Sequence, residues 1–194
     1  MIATLRTAAL ALLASAPFAF AQTADSNDVS DGELSLGEPE TTIGSTYVRE
    51  TFGDWELRCV KSESGQDPCQ LYQLLADGEG NNVAEVSIFN LPAEQQATAG
   101  ATVITPLETL LTQQLRIAVD GGQPKRYPYA FCSAVGCFAR IGFTQEEIDA
   151  FKRGAAATMT IVPAAAPDQT VDLAVSLTGF TAGWDAVNAA NATE

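Results

Sequence analysis

Val119–Phe143 reads VDGGQPKRYPYAFCSAVGCFARIGF. Asp120-Gly121-Gly122 is a turn signal, and the apolar and aromatic run Lys125–Cys132 after it has the composition of a strand. A second run, Cys137–Ile141, follows a short break containing Gly136. Two strands joined so closely pair antiparallel, as a hairpin. Parallel strands would need a crossover of a dozen or more residues, and there is no room for one.

The same rhythm continues outward on both sides. Phe52–Val60 alternates, with Trp55, Leu57 and Cys59 on one face and Glu56 and Arg58 on the other. Gln70–Leu75 and Val83–Leu91 flank the turn Asp77–Asn82. Further strands are expected at Ala101–Ile104, Leu115–Val119, Thr158–Val162 and Val171–Leu177. Short strands separated by Gly, Pro and Asp turns predict an all-β fold, an antiparallel sandwich or barrel. Asp77, Glu79 and Asn81 loosely suggest a calcium loop. The Gly and Glu such a loop needs at its sixth and twelfth positions are replaced by Asn82 and Ile88, so a plain hairpin turn is expected.

One helix is specified over 145–153. Thr144 and Glu147 have the spacing of a capping box, Phe143 precedes the cap as a hydrophobic staple for Ile148, and Gly154 supplies the stop. Lys152 and Arg153 complement the negative end of its dipole. Glu146 and Glu147 are read as capping residues rather than an acid/base pair, because both fall where the dipole favours anions. After Trp184 the Ala/Asn-rich end is expected to be a frayed helix or a tail.

Met1–Ala21 has one basic residue, Arg6, a short apolar run, and Ala19-Phe20-Ala21 at its end, the pattern of a cleaved signal peptide. The run is shorter than the ~20 residues a spanning helix needs, so the product is expected to be periplasmic or secreted and not membrane-spanning. Residues 22–47 form an acidic leader with Asp25, Asp28, Asp31, Glu33, Glu38 and Glu40, too polar to build a core. A single β-rich domain is expected over 48–187, followed by a tail at 188–194.

Ten basic residues against 24 acidic ones give a net charge of −14, which opposes nucleic acid and anionic membranes as partners. Four cysteines in an exported chain imply disulfides, with three possible connectivities. The local pairs Cys59–Cys69 and Cys132–Cys137 are favoured because each brackets a turn. Such short loops stabilise by roughly 2–3 kcal/mol each. Neither pair has redox spacing, and the chain holds no histidine, which removes Ser-His-Asp and Cys-His catalysis and His-based zinc sites. No metal site and no cofactor are expected, for there is neither a phosphate loop nor a dinucleotide fingerprint.

FGDWELRC at Phe52–Cys59, PCQLYQ at Pro68–Gln73 and AGATVITPLETLL at Ala99–Leu111 resemble the invasion-associated locus B family of exported bacterial proteins. So do the opening stretch and PDQTVDLAVSLTGFTAGWDAV at Pro167–Val187. The resemblance implies an α-proteobacterial cell-envelope or secreted protein with a mostly β fold. It also implies a link in some members to host-cell adhesion or invasion, and it brings no catalytic residues.

Three functions follow as expectations. The first is a non-enzymatic protein that binds a protein or glycan at the envelope or a host surface. The second is a binder of a small molecule or polysaccharide, with a groove lined by Trp55, Tyr127, Tyr129 and Phe131. The third is a carboxylate-based hydrolase. The binding residues proposed from sequence are Lys125, Arg126, Tyr127 and Tyr129, where cations beside tyrosines can take anionic or sugar groups. Against this, Arg126 in a strand faces away from the tyrosines, and edge lysines commonly serve to block aggregation.

Overall fold

A computed structural model describes residues 42–92 and 95–192. The signal segment and nearly all of the acidic leader lie outside the described residues.

Two antiparallel sheets form the domain. The larger contains β1 (Thr46–Phe52), β2 (Trp55–Val60), β3 (Cys69–Ala76), β4 (Asn82–Asn90), β5 (Ala99–Thr105), β8 (Tyr129–Ser133) and β9 (Gly136–Phe143). Their order is β1-β2-β3-β4-β5-β9-β8. The smaller has β6 (Leu115–Val119), β7 (Lys125–Tyr127), β10 (Ala156–Ile161) and β11 (Val171–Ser176), in the order β11-β10-β6-β7. Neither closes on itself, so the fold is a sandwich and not a barrel. Two helices, α1 (Gln145–Arg153) and α2 (Phe180–Ala190), complete it.

Two expected elements differ in the structure. The run Phe52–Val60 is broken at Gly53, whose φ of +57° turns the chain so that β1 pairs back on β2. The run Lys125–Cys132 is two strands in different sheets. Pro128 separates them: it cannot donate to a ladder and holds its neighbour extended, so the chain leaves the small sheet after Tyr127 and enters the large one at Tyr129. Of the frayed helix or tail expected after Trp184, the described residues take the helix. Helix α2 runs to Ala190, and the Asn191 side chain then accepts from the Cys69 N–H (2.8 Å) and donates to the Cys69 carbonyl (2.8 Å) and to Asn90 Oδ1 (2.7 Å).

The core lies between the sheets. Trp55, Leu71, Leu75, Val86 and Val103 of the large sheet are fully buried, with Leu115 and Leu173 of the small one. A run of edge-to-face rings crosses it: Trp55 on Phe180 (5.4 Å), Phe180 on Phe151 (5.6 Å), Phe151 on Phe143 (5.0 Å) and Phe143 on Tyr127 (5.9 Å). Such pairs contribute about 0.5–1.5 kcal/mol each beyond area burial. Helix α2 lies close on β3, where a β-carbon at Gly183 would come within 2.7 Å of Leu71.

Polar links sew the layers together at one edge. Trp55 donates its indole N–H to the Ser176 carbonyl (2.8 Å). Gln73, only 6% exposed, donates to the carbonyls of Asp54 and Ser176 (both 3.1 Å) and accepts from the Ser176 N–H (2.9 Å). A buried amide so satisfied fixes how the two sheets meet.

Both disulfides join residues in cross-strand register, Cys59–Cys69 between β2 and β3 and Cys132–Cys137 between β8 and β9. Helix α1 begins as its sequence predicts, with Thr144 and Glu147 in a reciprocal capping box. It ends at Gly154, which is extended rather than left-handed. Lys152 ties α1 to α2 through Asp185 (3.1 Å).

Candidate functional site

The two-residue repeat of β7 decides what its basic pair can do. Lys125 stands opposite Ile117 and Tyr127 opposite Leu115, both core-facing positions of β6, so the two side chains point inward toward α1. There they meet Glu147. Tyr127 donates its phenol O–H to Glu147 Oε1 (2.7 Å), and Lys125 Nζ pairs with the same oxygen (2.9 Å). The other oxygen of Glu147 accepts from the Thr144 N–H (2.8 Å) and hydroxyl (3.0 Å).

Partial burial pushes the Glu147 carboxyl up, but hydrogen bonds from the Thr144 N–H, Lys125 and Tyr127 outweigh it and hold the group at about 2. Burial pushes the Tyr127 phenol upward, and the Glu147 hydrogen bond and charge push the same way. Both groups are locked in one protonation state near neutrality, and with Ile117, Val119 and Phe151 they line a shallow cleft of about 210 Å³. A carboxylate this saturated is poorly suited to acid/base work, which wants a pKa near the working pH.

The remaining two residues of the expected cluster lie elsewhere. Arg126 projects from the outer face of the small sheet and is exposed. Tyr129, beyond Pro128, sits in the large sheet with its hydroxyl 3.4 Å from Thr105 Oγ1. Burial pushes its phenol upward, with the Thr105 contact opposing. The four residues therefore occupy three environments rather than one patch. The aromatic groove expected from Trp55, Tyr127, Tyr129 and Phe131 is likewise not assembled: Trp55 is fully buried under Phe180, and Phe131 faces outward.

Sequence reading passed over the outer face of the large sheet. Register aligns Leu74, Glu85, Ile104, Phe138 and Phe131 in one row across β3, β4, β5, β9 and β8. Phe131 stacks on Phe138 (4.7 Å) yet remains 45% exposed, Leu74 is 48% exposed, and Val135 in the adjoining turn is 74% exposed. Leu74, Val83, Ile104, Pro106 and Val135 line a depression of about 250 Å³ around Glu85. The row ends at β8, an edge strand whose outer side pairs with nothing among the described residues. Contiguous exposed apolar surface beside an open strand edge is the usual composition of a protein-contact surface.

Among the described residues no group of His, Cys, Asp and Glu could hold a metal ion, and no helix is long and apolar enough to cross a membrane.

Residues 55–188 match the family described as Invasion associated locus B (IalB) protein. Two curated proteins named Invasion protein B homolog, from Brucella abortus (strain 2308) and Brucella abortus biovar 1 (strain 9-941), are each 26% identical over 151 residues. The match covers 75% of this chain and 82% of each of theirs. The crystal structure of invasion associated protein b from Bartonella henselae superposes with a TM-score of 0.60 at 23% identity, covering 72% of this chain and 94% of that one. That last likeness is one of fold.

Proposed function

Because the chain belongs to the invasion associated locus B family, we propose that it is an exported, non-enzymatic protein that acts by binding a partner at the cell envelope or a host surface. The observation that carries this reading is the run Ile104–Phe138–Phe131 with Val135 beside it, and Leu74 beyond Glu85, partly exposed on the outer face of the large sheet. Exposed apolar side chains clustered beside an open strand edge are the composition of a contact surface. Two disulfides and the signal-like N-terminus suit an oxidising compartment. The curated relatives carry the name of an invasion protein, and by analogy a surface contact is the role carried over here.

Site-specific photo-cross-linking tests it. A cross-linking residue placed at Val135 should capture a discrete partner on intact cells, whereas one at Glu63, exposed in the β2–β3 loop, should not. Equal capture from both positions, or none from Val135, would overturn the assignment of this surface.

A further inference from the structure

The outer face of the small sheet carries a second row, of opposite character and separate from the apolar one. Register places Arg126, Arg116, Thr160 and Asp172 side by side across β7, β6, β10 and β11. Arg116 and Arg126 are directly opposed, where like charges destabilise a sheet. Neither joins an ion pair among the described residues, and the Nε of Arg116 is buried with no hydrogen-bond partner. In a chain with 24 acids for ten bases, two adjacent cations left without an acid are an open anion-binding demand. The far end of the row has the opposite polarity: Thr160 donates its hydroxyl to Asp172 Oδ1 (2.6 Å), leaving the rest of the exposed carboxylate free to accept.

We propose that this row is a binding site for an acidic saccharide. The guanidinium forks take its carboxylate or sulfate in bidentate fashion, and Thr160 and Asp172 take its neighbouring hydroxyls. The four strands span about 14 Å at the usual strand spacing, so the ligand lies flat along the row as part of a chain. An open face without a cavity suits an extended polymer and not a small enclosed metabolite. Nucleic acid and anionic lipid surfaces carry charge more densely than an acidic saccharide chain and are disfavoured more strongly by the negative charge of the whole molecule.

Calorimetric titration of the full-length protein with an oligogalacturonate, a neutral oligogalactose of matched length and poly-L-glutamate tests the assignment. The oligogalacturonate should bind and the neutral oligomer should not. Arg126→Gln, on an exposed edge strand, should weaken oligogalacturonate binding about tenfold or more with little change in Tm. Asp172→Asn should weaken it about threefold without altering any affinity for polyglutamate. Arg140→Gln on the other sheet should change nothing. Failure of the wild type to bind oligogalacturonate, or binding indifferent to Arg126→Gln, would overturn the site. Polyglutamate binding as tight as oligogalacturonate, with neither sensitive to Asp172→Asn, would reassign the row to acidic polypeptides and overturn the saccharide. Cross-linking from Val135 is a separate surface and stands or falls independently of these results.

Discussion

The two disulfide hairpins use one covalent device for different ends. Cys59–Cys69 is buried on both sides, 0% and 3% exposed, and everything around it is tied down. Asn191 grips the Cys69 backbone from the end of α2, and Asp67 accepts from the Ser62 N–H (2.8 Å), the Tyr47 hydroxyl (2.8 Å) and Lys61 (3.3 Å). Cys132–Cys137 is buried on one side only, and its turn holds up Val135 and its edge strand Phe131 without covering either. A staple amid buried side chains secures the fold. One at an edge keeps a small surface rigid, which lowers the entropy lost when a partner binds.

That contrast predicts an order of effects. The largest should follow Cys59→Ala with Cys69→Ala, a loss of about 3–4 kcal/mol by equilibrium denaturation, since loop constraint and buried packing go together. Cys132→Ser with Cys137→Ser should cost about 2 kcal/mol or less, the entropic contribution of the shorter loop. A reversed ranking would break the comparison. Asn191→Ala comes next, at about 2 kcal/mol, because it orphans the N–H and carbonyl of Cys69 at once. An effect within error would mean the chain end is the tail its composition suggested.

Acid should loosen the surroundings of Cys59–Cys69, through Asp67, and the contact of α1 with β7, through Glu147. The carboxyls of Asp67 and Glu147 are each held at about 2 in the fold, Asp67 mainly by the Ser62 N–H and the Tyr47 hydroxyl. A carboxyl whose folded pKa lies below its unfolded value contributes stability that is present above the unfolded pKa and lost as pH falls toward the folded one. Tm should therefore decline between about pH 4.5 and pH 2. Glu147→Gln should lower Tm at pH 7 and make that decline shallower; a parallel curve would show that Glu147 carries no linkage. Lys125→Glu should also lower Tm, by placing a second carboxylate 3 Å or so from the one Lys125 now neutralises. Arg126→Glu should raise Tm slightly, because it turns the like-charge pair with Arg116 into an opposite-charge one.

Much of this architecture was legible in the sequence. Alternation in Trp55–Cys59, the capping signals at Thr144–Glu147 and the bracketed cysteines are local patterns with local causes, and the structure has each of them. What escaped depended on partners far along the chain. Pro128 was visible, but its consequence, one apolar run shared between two sheets, rests on which strands wait on either side. Lys125 and Arg126 read as one cationic pair, whereas the pleat sends one to Glu147 and the other to Arg116. Leu74 and Ile104 each sit next to another apolar residue, Leu75 and Val103, in the runs LYQLLA and ATVIT, so alternation could not say which face would be left open. The row they form with Phe131 exists only through register.

A modest change in stability is expected of the variant that should matter most for function. Phe131→Ser leaves Val135 free for the cross-linking residue, removes a half-exposed ring with its stack on Phe138, and should cost about 1 kcal/mol. Capture of this variant on intact cells, compared with wild type at matched Tm, is the direct test of the claim that the edge hairpin presents the contact surface. The account predicts that capture is lost while the fold survives. Undiminished capture would contradict it.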